Sequence, residues 1–175
     1  LDHQTGTDRV YEVFKDVLKN KPSIIVNLQG DMPNIDPKAI SDLVLYMKKG
    51  ECDIGTLASD FSSKAELADE NNVKVAVKEK IKPNNFSKAV DFFRTASKTY
   101  ENIYHHVGIY AFTNKALVRY VSLERSKLEL KRKLEQLRAL ENDMSIHVGY
   151  ISSSPLSVDT ENDLIEVKKI MESNE

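Results

Sequence analysis

Residues 23–28 form the sequence Ser-Ile-Ile-Val-Asn-Leu, and Gln-Gly-Asp follows at residues 29–31. The run is short, rich in β-branched side chains and preceded by Pro22, which together favour a strand over a helix. A nearly continuous apolar run is typical of a strand that is covered on both faces in a parallel sheet. We therefore predict a buried parallel strand whose exit at residues 29–31 opens a polar loop.

Strands and helices are predicted to alternate along the rest of the chain. Apolar spacing indicates a first helix with Thr7 as its N-cap, and proline, glycine and capping-box signals bound the later helices. The predicted order is helix 8–20, strand 23–28, helix 37–49, strand 53–59, helix 62–69, strand 73–78, strand 89–93, strand 104–112, helix 114–121, helix 126–142, strand 146–151 and helix 160–173. This alternation predicts an α/β fold with a mainly parallel sheet, which binds ligands beyond the carboxyl ends of its strands.

The composition excludes several classes of protein. The 175 residues correspond to about one domain. With 25 Lys and Arg against 27 Asp and Glu, the net charge of −2 excludes a strongly basic nucleic-acid binder. A single cysteine, Cys52, excludes an intramolecular disulfide framework. The apolar runs are too short to span a bilayer and the first residues lack a signal-peptide pattern, so we expect a cytoplasmic protein without membrane partners.

Three loops carry candidate functional residues. Asp31 follows Gly30 at a strand exit, where its carboxylate could hold a divalent metal or only order the turn before Pro33. Asp159 lies between the last strand and the last helix, and helix capping is its alternative role. Two aspartates from separate strand ends could share one magnesium site. Residues 3–9, His-Gln-Thr-Gly-Thr-Asp-Arg, could wrap a flat base or bind an anion, or form a simple helix-entry loop.

Five segments, in order and with similar spacing, resemble the CMP-Kdo synthetases, which are 3-deoxy-manno-octulosonate (Kdo) cytidylyltransferases. They are HQTGTDR at 3–9, NLQGDMP at 27–33, HHVGIYAF at 105–112, LEQLRALEN at 134–142 and VDTENDL at 158–164. The resemblance implies an α/β/α sandwich of the nucleotide-diphospho-sugar transferase type, with residues 1–175 in a single domain. It also implies an enzyme that joins CTP and Kdo into CMP-Kdo and pyrophosphate for lipopolysaccharide synthesis, as a cytoplasmic homodimer.

The resemblance implies a role for individual residues. Asp31 and Asp159 would be the catalytic residues and would bind Mg²⁺. The residues expected to contact Kdo are Gln29, Arg94, His106, Tyr110, Glu135 and Gln136. Those expected to bind CTP are Gln4, Thr5 and Gly6. Within the sugar set, Arg94 would face the sugar carboxylate, while Glu135 and Gln136 would bind sugar hydroxyls from a helix beside the site.

The chain departs from the family's pattern mainly at its start. The family's first strand, its Arg- and Lys-bearing phosphate loop and the next helix–strand unit have no counterpart here. The resemblance therefore implies an N-terminally incomplete domain that has negligible turnover by itself. We also expect the apolar side chains that those units would cover to be exposed, namely Val10, Val13, Phe14 and Val17.

The chain also differs from the family's pattern at three internal sites, and two alternative functions stay open. Phe-Arg-Thr-Ala-Ser at residues 93–97 replaces the family's Ser-Arg followed by Ile-Pro, Lys127 replaces a proline, and Ser157 replaces a glycine. A non-catalytic remnant or sugar-binding domain of the same fold is one alternative function. Another sugar nucleotidyltransferase, such as a CMP-sialate synthetase, is the other.

Overall fold

The structure is a computed structural model that describes residues 3, 5–18, 21–95, 99–158 and 160–173. Its strands are β1 (Ile24–Asn27), β2 (Ile54–Ser59), β3 (Lys74–Val77), β4 (Phe86–Phe93), β5 (Ile103–Thr113) and β6 (Ile146–Tyr150). Its helices are α1 (Gly6–Glu12), which continues as a π-helical segment over Val13–Val17, then α2 (Pro37–Met47), α3 (Lys64–Ala68), α4 (Asn114–Ser122), α5 (Lys127–Arg132), α6 (Leu137–Glu141) and α7 (Glu161–Ser173). No helix within the described ranges is long and apolar enough to cross a membrane.

The six strands form one mixed sheet in the order β1-β5-β2-β6-β4-β3. Among the described strands, β2 and β6 are the parallel pair, and the other pairings are antiparallel. The prediction of a mainly parallel sheet, with residues 23–28 as a parallel strand, is therefore wrong. β1, β2 and β6 do run in the same direction. However, β5 lies antiparallel between β1 and β2, so β1 is not paired with a parallel strand among the described residues.

Strand β5 organises the sheet because it pairs with three strands. It is antiparallel to β1, β2 and β3, and His105 pairs with Ser59 on one side and Lys74 on the other. The pairings β5–β2, β2–β6, β6–β4, β4–β3 and β3–β5 close a circuit of strands. Among the described strands, β1 lies outside that circuit with β5 as its one neighbour.

Helices cover both faces of the sheet. Alternate β5 residues enter different apolar clusters: Tyr110 and Phe112 contact the cluster of α1, α4 and α6, while Ile109 and Ala111 contact that of α2. This is the period-2 alternation of a strand buried on both sides. The layering agrees with the predicted α/β/α arrangement. On the α2 face the sheet carries Gly55, where a Cβ would lie 2.8 Å from a Leu43 methyl carbon.

The first helix begins earlier than predicted. Thr5, not Thr7, is the N-cap, because the Thr5 and Asp8 side chains form a capping box. Thr7 is instead buried, with 1% of its surface exposed. The expected exposure of apolar side chains on this helix is right for Val13 and Val17 but wrong for Phe14, which packs into the core, and Val10 is partly buried against it.

The single helix predicted over residues 126–142 is wrong. It begins at the predicted capping box of Ser126 and Glu129, but α5 ends at Lys133, whose φ of 55° is left-handed. Buried Glu129 and Arg138 then pair across the break at 2.7 Å. In one continuous helix these two residues would lie on opposite faces, about 13.5 Å apart along the axis, so the pair requires the break.

Candidate functional site

A cleft of about 1010 Å³ opens at the edge of the sheet where β1, β2 and β6 end. The segments that follow these strands line it, together with the turn between α5 and α6. The predicted site residues that line the cleft are Gln29, Asp31, Arg94, His106, Tyr110, Glu135 and Gln136. Asp159 and Gln4 lie outside the described residues.

One side of the cleft, here called the open wall, consists of residues 29–31 after β1 and residues 157–158 after β6. The Asp31 carbonyl accepts a 2.8 Å hydrogen bond from the Val158 N–H, which joins the two segments. The Ser157 hydroxyl lies 3.4 Å from Asp31 Oδ2. Asp31 Oδ1 is buried and has no hydrogen-bond partner among the described residues. An unsatisfied buried carboxylate oxygen is costly, and a bound cation would satisfy it.

The open wall offers one carboxylate that could hold a magnesium ion. In the described part of the chain no three His, Cys, Asp or Glu side chains gather into a metal site. Magnesium in phosphate-transfer sites usually takes one or two carboxylates and completes its shell with water and substrate phosphate. Asp31 has an oxygen available for this, and Val158, bonded to Asp31, directly precedes Asp159 in the chain.

The glycine of the His-Val-Gly-Ile-Tyr segment lies under a residue of the open wall. The Gln29 carboxamide covers Gly108, and its Nε2 lies 3.4 Å from where a Cβ on Gly108 would be. A Cβ at this position would be in ordinary van der Waals contact with the amide. Gln29 therefore lies directly over β5.

His106 forms the floor of the cleft, and its surroundings determine its protonation. Thr56 Oγ1 lies 2.7 Å from the Ile109 carbonyl and 2.9 Å from His106 Nε2. A hydroxyl has one proton, so if Thr56 donates to the carbonyl, His106 donates from Nε2 and keeps Nδ1 as an acceptor. Burial, with a smaller contribution from His105, lowers the pKa of His106 to about 3. At neutral pH the ring is therefore uncharged.

His105, the neighbour of His106 in the chain, lies at the rim of the cleft and has a different role. His105 Nδ1 lies 2.6 Å from Glu66 Oε1, in an ion-pair contact without hydrogen-bond geometry, and its ring stacks on Phe61. His106 instead meets the edge of the Phe92 ring. The side chains diverge as adjacent strand residues do, and His105 ties α3 to the cleft.

The opposite side, here called the braced wall, is the turn of residues 133–136 between α5 and α6. The prediction that Glu135 and Gln136 lie on a helix is wrong, since they lie in this turn. The Tyr120 hydroxyl donates to the Glu135 carbonyl at 2.9 Å, and Thr7 Oγ1 donates to Glu135 Oε1 at 3.0 Å. Bonds from α4 and α1 thus hold the turn in place.

A buried ion pair anchors the braced wall from behind. Arg138 donates to both carboxylate oxygens of Glu129, at 2.7 and 2.9 Å, and its guanidinium lies 4.7 Å from the centre of the Tyr120 ring. Arg125, more exposed, donates to Glu129 as well. This carboxylate has three N–H bonds from two arginines, which lower the pKa of Glu129 against the opposing effect of burial.

Glu135 is the acidic group of the braced wall. Burial raises the pKa of Glu135, and hydrogen bonding from Thr7 and Thr5 opposes that rise. The neighbouring Tyr110 is buried, which raises its pKa well above its ordinary value. The wall therefore presents an uncharged phenol next to a carboxyl group.

Arg94 stands at the rim and is partly engaged by the protein. Its Nη1 donates to the carbonyls of Glu70 and Asn71, at 3.1 and 2.5 Å. Its other guanidinium nitrogens form no hydrogen bond with any described residue. They can still offer donors to an anion in the cleft.

Comparison with known proteins identifies the family. Residues 1–146 match the sequence profile described as Cytidylyltransferase. The 3-deoxy-manno-octulosonate cytidylyltransferase of Bartonella tribocorum is 40% identical over 172 residues, which cover 97% of this chain and 70% of that protein. The protein of the same name from Brucella ovis is 41% identical over 168 residues, covering 93% of this chain and 65% of its own length.

The chain belongs to the family of 3-deoxy-manno-octulosonate cytidylyltransferases.

A solved structure agrees with this membership of the cytidylyltransferase family. CMP:2-keto-3-deoxy-manno-octonic acid synthetase complexed with CTP superimposes with a TM-score of 0.86 at 32% sequence identity. The match covers 99% of this chain and 70% of the other.

Two residues expected to bind nucleotide in this family lie outside the cleft wall. Thr5 uses its hydroxyl in the α1 capping box, and Gly6 is exposed at the start of that helix. Both lie within two residues of Thr7, whose hydroxyl contacts the Glu135 carboxyl group. Their predicted role with CTP stays a prediction.

Sequence reasoning missed residues that hold the cytidylyltransferase site together. The sequence predicts no contact between Thr7 and Glu135, and nothing in it pairs Thr56 with His106. Arg138 lies inside the LEQLRALEN segment, so the resemblance points to it, but its partner Glu129 is outside that segment. These contacts join residues distant in sequence, which no local pattern displays.

Proposed function

We propose that this chain transfers a cytidylyl group from CTP to Kdo, forming CMP-Kdo and pyrophosphate. The family and the names of its relatives support this reaction. The observation that supports it most is that seven residues predicted to bind metal or sugar, from four separate segments, line one cleft.

The reaction is an in-line displacement at phosphorus. A Kdo hydroxyl oxygen forms a bond to the α-phosphorus of CTP, the bond to the bridging oxygen of the β-phosphate breaks, and pyrophosphate leaves with that electron pair. The hydroxyl proton is released to base. Such a reaction depends on positioning and on neutralising phosphate charge, and it needs no covalent enzyme intermediate.

The residues of the open wall are suited to the phosphate side. Asp31, with Asp159, would hold magnesium, which when bound neutralises phosphate charge and lowers the pKa of a bound hydroxyl. Asp31 Oδ1, which has no hydrogen-bond partner among the described residues, supports this assignment. Gln29 of the same wall, which lies over Gly108, would donate its amide to an oxygen of Kdo.

The residues of the braced wall, the floor and the rim are suited to the sugar acid. Gln136 and Glu135 would hydrogen-bond sugar hydroxyls, and neutral His106 would accept a bond at Nδ1. The available nitrogens of Arg94 would pair with the sugar carboxylate. Hydrogen-bonding groups deep in the cleft and a cation at its rim fit a ligand with hydroxyls inside and a carboxylate outside.

The test measures pyrophosphate release that depends on both CTP and Kdo. The chain matches 70% of the Bartonella protein, so two forms are assayed: the 175-residue chain, and a chimera that adds the relative's unmatched residues. Release in either form supports the proposal. Binding of both ligands without release in both forms would instead support a non-catalytic sugar-binding domain.

The choice of sugar is tested in the same assay. Replacing Kdo by N-acetylneuraminate addresses the alternative of a CMP-sialate synthetase. We expect release with Kdo and at least about tenfold less with the sialic acid, and the reverse order would overturn the assignment.

We further propose that the protein works as a homodimer in the cytoplasm and serves lipopolysaccharide synthesis. The resemblance supports these proposals, and light scattering of the purified chain tests the dimer.

A further inference from the structure

The Thr7–Glu135 hydrogen bond joins two distant segments of the chain at the site. Its partners are 128 residues apart, and Thr7 Oγ1 lies 3.0 Å from Glu135 Oε1. Thr7 is 1% exposed, so the donor side of the contact is shielded from water. A buried hydroxyl bonded to a carboxylate is among the stronger neutral-to-charged hydrogen bonds.

The bond lies between the two substrate regions of the proposed function. Thr7 directly follows Thr5 and Gly6, the residues expected on the nucleotide side. Glu135 lines the cleft with Gln136 on the sugar side. A shift of the first turn of α1 therefore moves the donor that orients the Glu135 carboxylate.

The other contacts of the braced wall do not fix the Glu135 carboxylate. Tyr120 holds the backbone of the turn through the Glu135 carbonyl, and the Glu129–Arg138 pair holds the helices behind it. Neither forms a hydrogen bond with the Glu135 carboxylate. Its orientation therefore depends on the start of α1, where Thr7 donates the 3.0 Å hydrogen bond and Thr5 also acts on this carboxyl group.

We propose that Thr7 is a positioning residue for Glu135, and that their hydrogen bond couples the binding of the cytidine nucleotide to the binding of the sugar acid. The proposal rests on the proposed function. A nucleotide that orders the start of α1 fixes Thr7, so the Glu135 carboxylate is already oriented when the sugar arrives. Binding free energies are reciprocal, so the sugar tightens nucleotide binding by the same factor.

Calorimetry of Kdo binding with and without saturating CMP measures the coupling. CMP carries the cytosine and one phosphate but no pyrophosphate to displace, so no reaction interferes. In the unmodified chain we expect CMP to tighten Kdo binding by about fivefold or more, the lower range of typical coupling. Thr7→Val keeps the shape but removes the donor, and should reduce this factor to within about twofold of one.

Two further variants separate positioning from a loss of structure. Thr7→Ser restores the donor and should restore most of the coupling. Thr95→Val is the matched control, because it removes a Thr–Glu hydrogen bond of 2.8 Å, to Glu70, that does not join α1 to the turn. It should leave the coupling factor unchanged.

The outcomes distinguish the two proposals. No Kdo binding with or without CMP, in both the 175-residue chain and the chimera, would overturn the proposed function, and the coupling with it. Kdo binding that CMP does not change, or coupling that survives Thr7→Val, would overturn the coupling alone. Loss of coupling in both Thr7→Val and Thr95→Val would also overturn it, because the effect would not belong to Thr7.

Discussion

The two walls of the cleft are built in opposite ways. The braced wall is held by α1, α4 and a buried ion pair, so the carboxyl and carbonyl groups of Glu135 have partners within the protein. The open wall is tied by a backbone hydrogen bond between Asp31 and Val158 and the Ser157 hydroxyl near Asp31, and it keeps a buried carboxylate oxygen without a described partner. Fixed hydrogen-bonding groups suit the hydroxyls of a sugar, while a carboxylate oxygen without a partner suits a cation, so each wall reflects the chemistry of what it would bind.

Breaking the ion pair behind the braced wall should have the largest effect on stability. Arg138→Met leaves Glu129 buried without its two-bond partner, and we expect the free energy of unfolding to fall by about 3–5 kcal/mol. The measurement is urea unfolding followed by circular dichroism. Arg125→Met, which removes the more exposed partner of the same carboxylate, should cost about 1 kcal/mol or less. Equal losses would show that the wall is not anchored by Arg138.

The open wall should respond in activity rather than stability. Asp31→Asn removes the charge that would hold the cation, and in the more active of the two assayed forms it should lower kcat by about 10²–10³. Its melting temperature should stay the same or rise, because an unsatisfied buried charge is removed. Asp36→Asn is the control, since either residue caps α2 outside the cleft. A large loss of stability in Asp31→Asn would contradict the comparison of the walls.

A substitution on the face of the braced wall should change the KM for one substrate and leave that for the other nearly unchanged. Gln136→Ala removes a hydrogen-bonding group that is 6% exposed, and should raise the KM for Kdo by up to about tenfold. The KM for CTP should change by less than about twofold, since the amide would contact only the sugar. Steady-state kinetics with each substrate varied in turn gives both values. Equal increases for CTP and Kdo would contradict a sugar-side role.

The floor between the walls should give an effect that is visible only as a pH dependence of stability. The pKa of His106 is about 3 when folded and about 6.5 when unfolded. Between these values the unfolded chain binds the extra proton, so stability from this group is complete above about pH 6.5 and is lost toward pH 3. The slope is at most about 1.4 kcal/mol per pH unit.

Urea unfolding between pH 4 and about 6.5 tests this contribution. His106→Gln should lower the slope of the free energy of unfolding against pH by the contribution of about one proton. His147→Gln should change it less, because His147 is less buried, although burial also lowers its pKa. An unchanged slope in His106→Gln would mean that the ring is charged in the folded protein.

Local chemistry explains which features could be predicted from the sequence. The caps of α2 and α4 at Asp36 and Thr113 are confirmed, because a capping side chain acts on a backbone two or three residues away. The strand at residues 23–28 is confirmed as β1, since its apolar run is local too. The pairing direction was wrong because the insertion of β5 beside β1 depends on residues about 90 positions away.

The candidate site shows the same division. Asp31 and Gln29 could be placed at a strand exit from the sequence alone, and the structure has them there. The turn that carries Glu135 could not be predicted, because Leu, Glu, Lys and Arg around it all favour a continuous helix. The ion pair of Glu129 and Arg138 overrides that preference, and it forms only in the folded protein.

The position of β5 in the sheet has a consequence for synthesis of the protein on the ribosome. Among the described strands β1 pairs with β5, and Ile24 and its partner Thr113 are separated by 89 residues of translation. At about 5–20 residues per second, β1 waits roughly 4–18 seconds for this partner. During that interval Ile25 and Val26 lie on a strand edge that β5 does not yet cover and that other chains can reach. Chaperone binding to nascent chains that end before residue 103, and its release once residue 113 is exposed, would follow directly from this one strand.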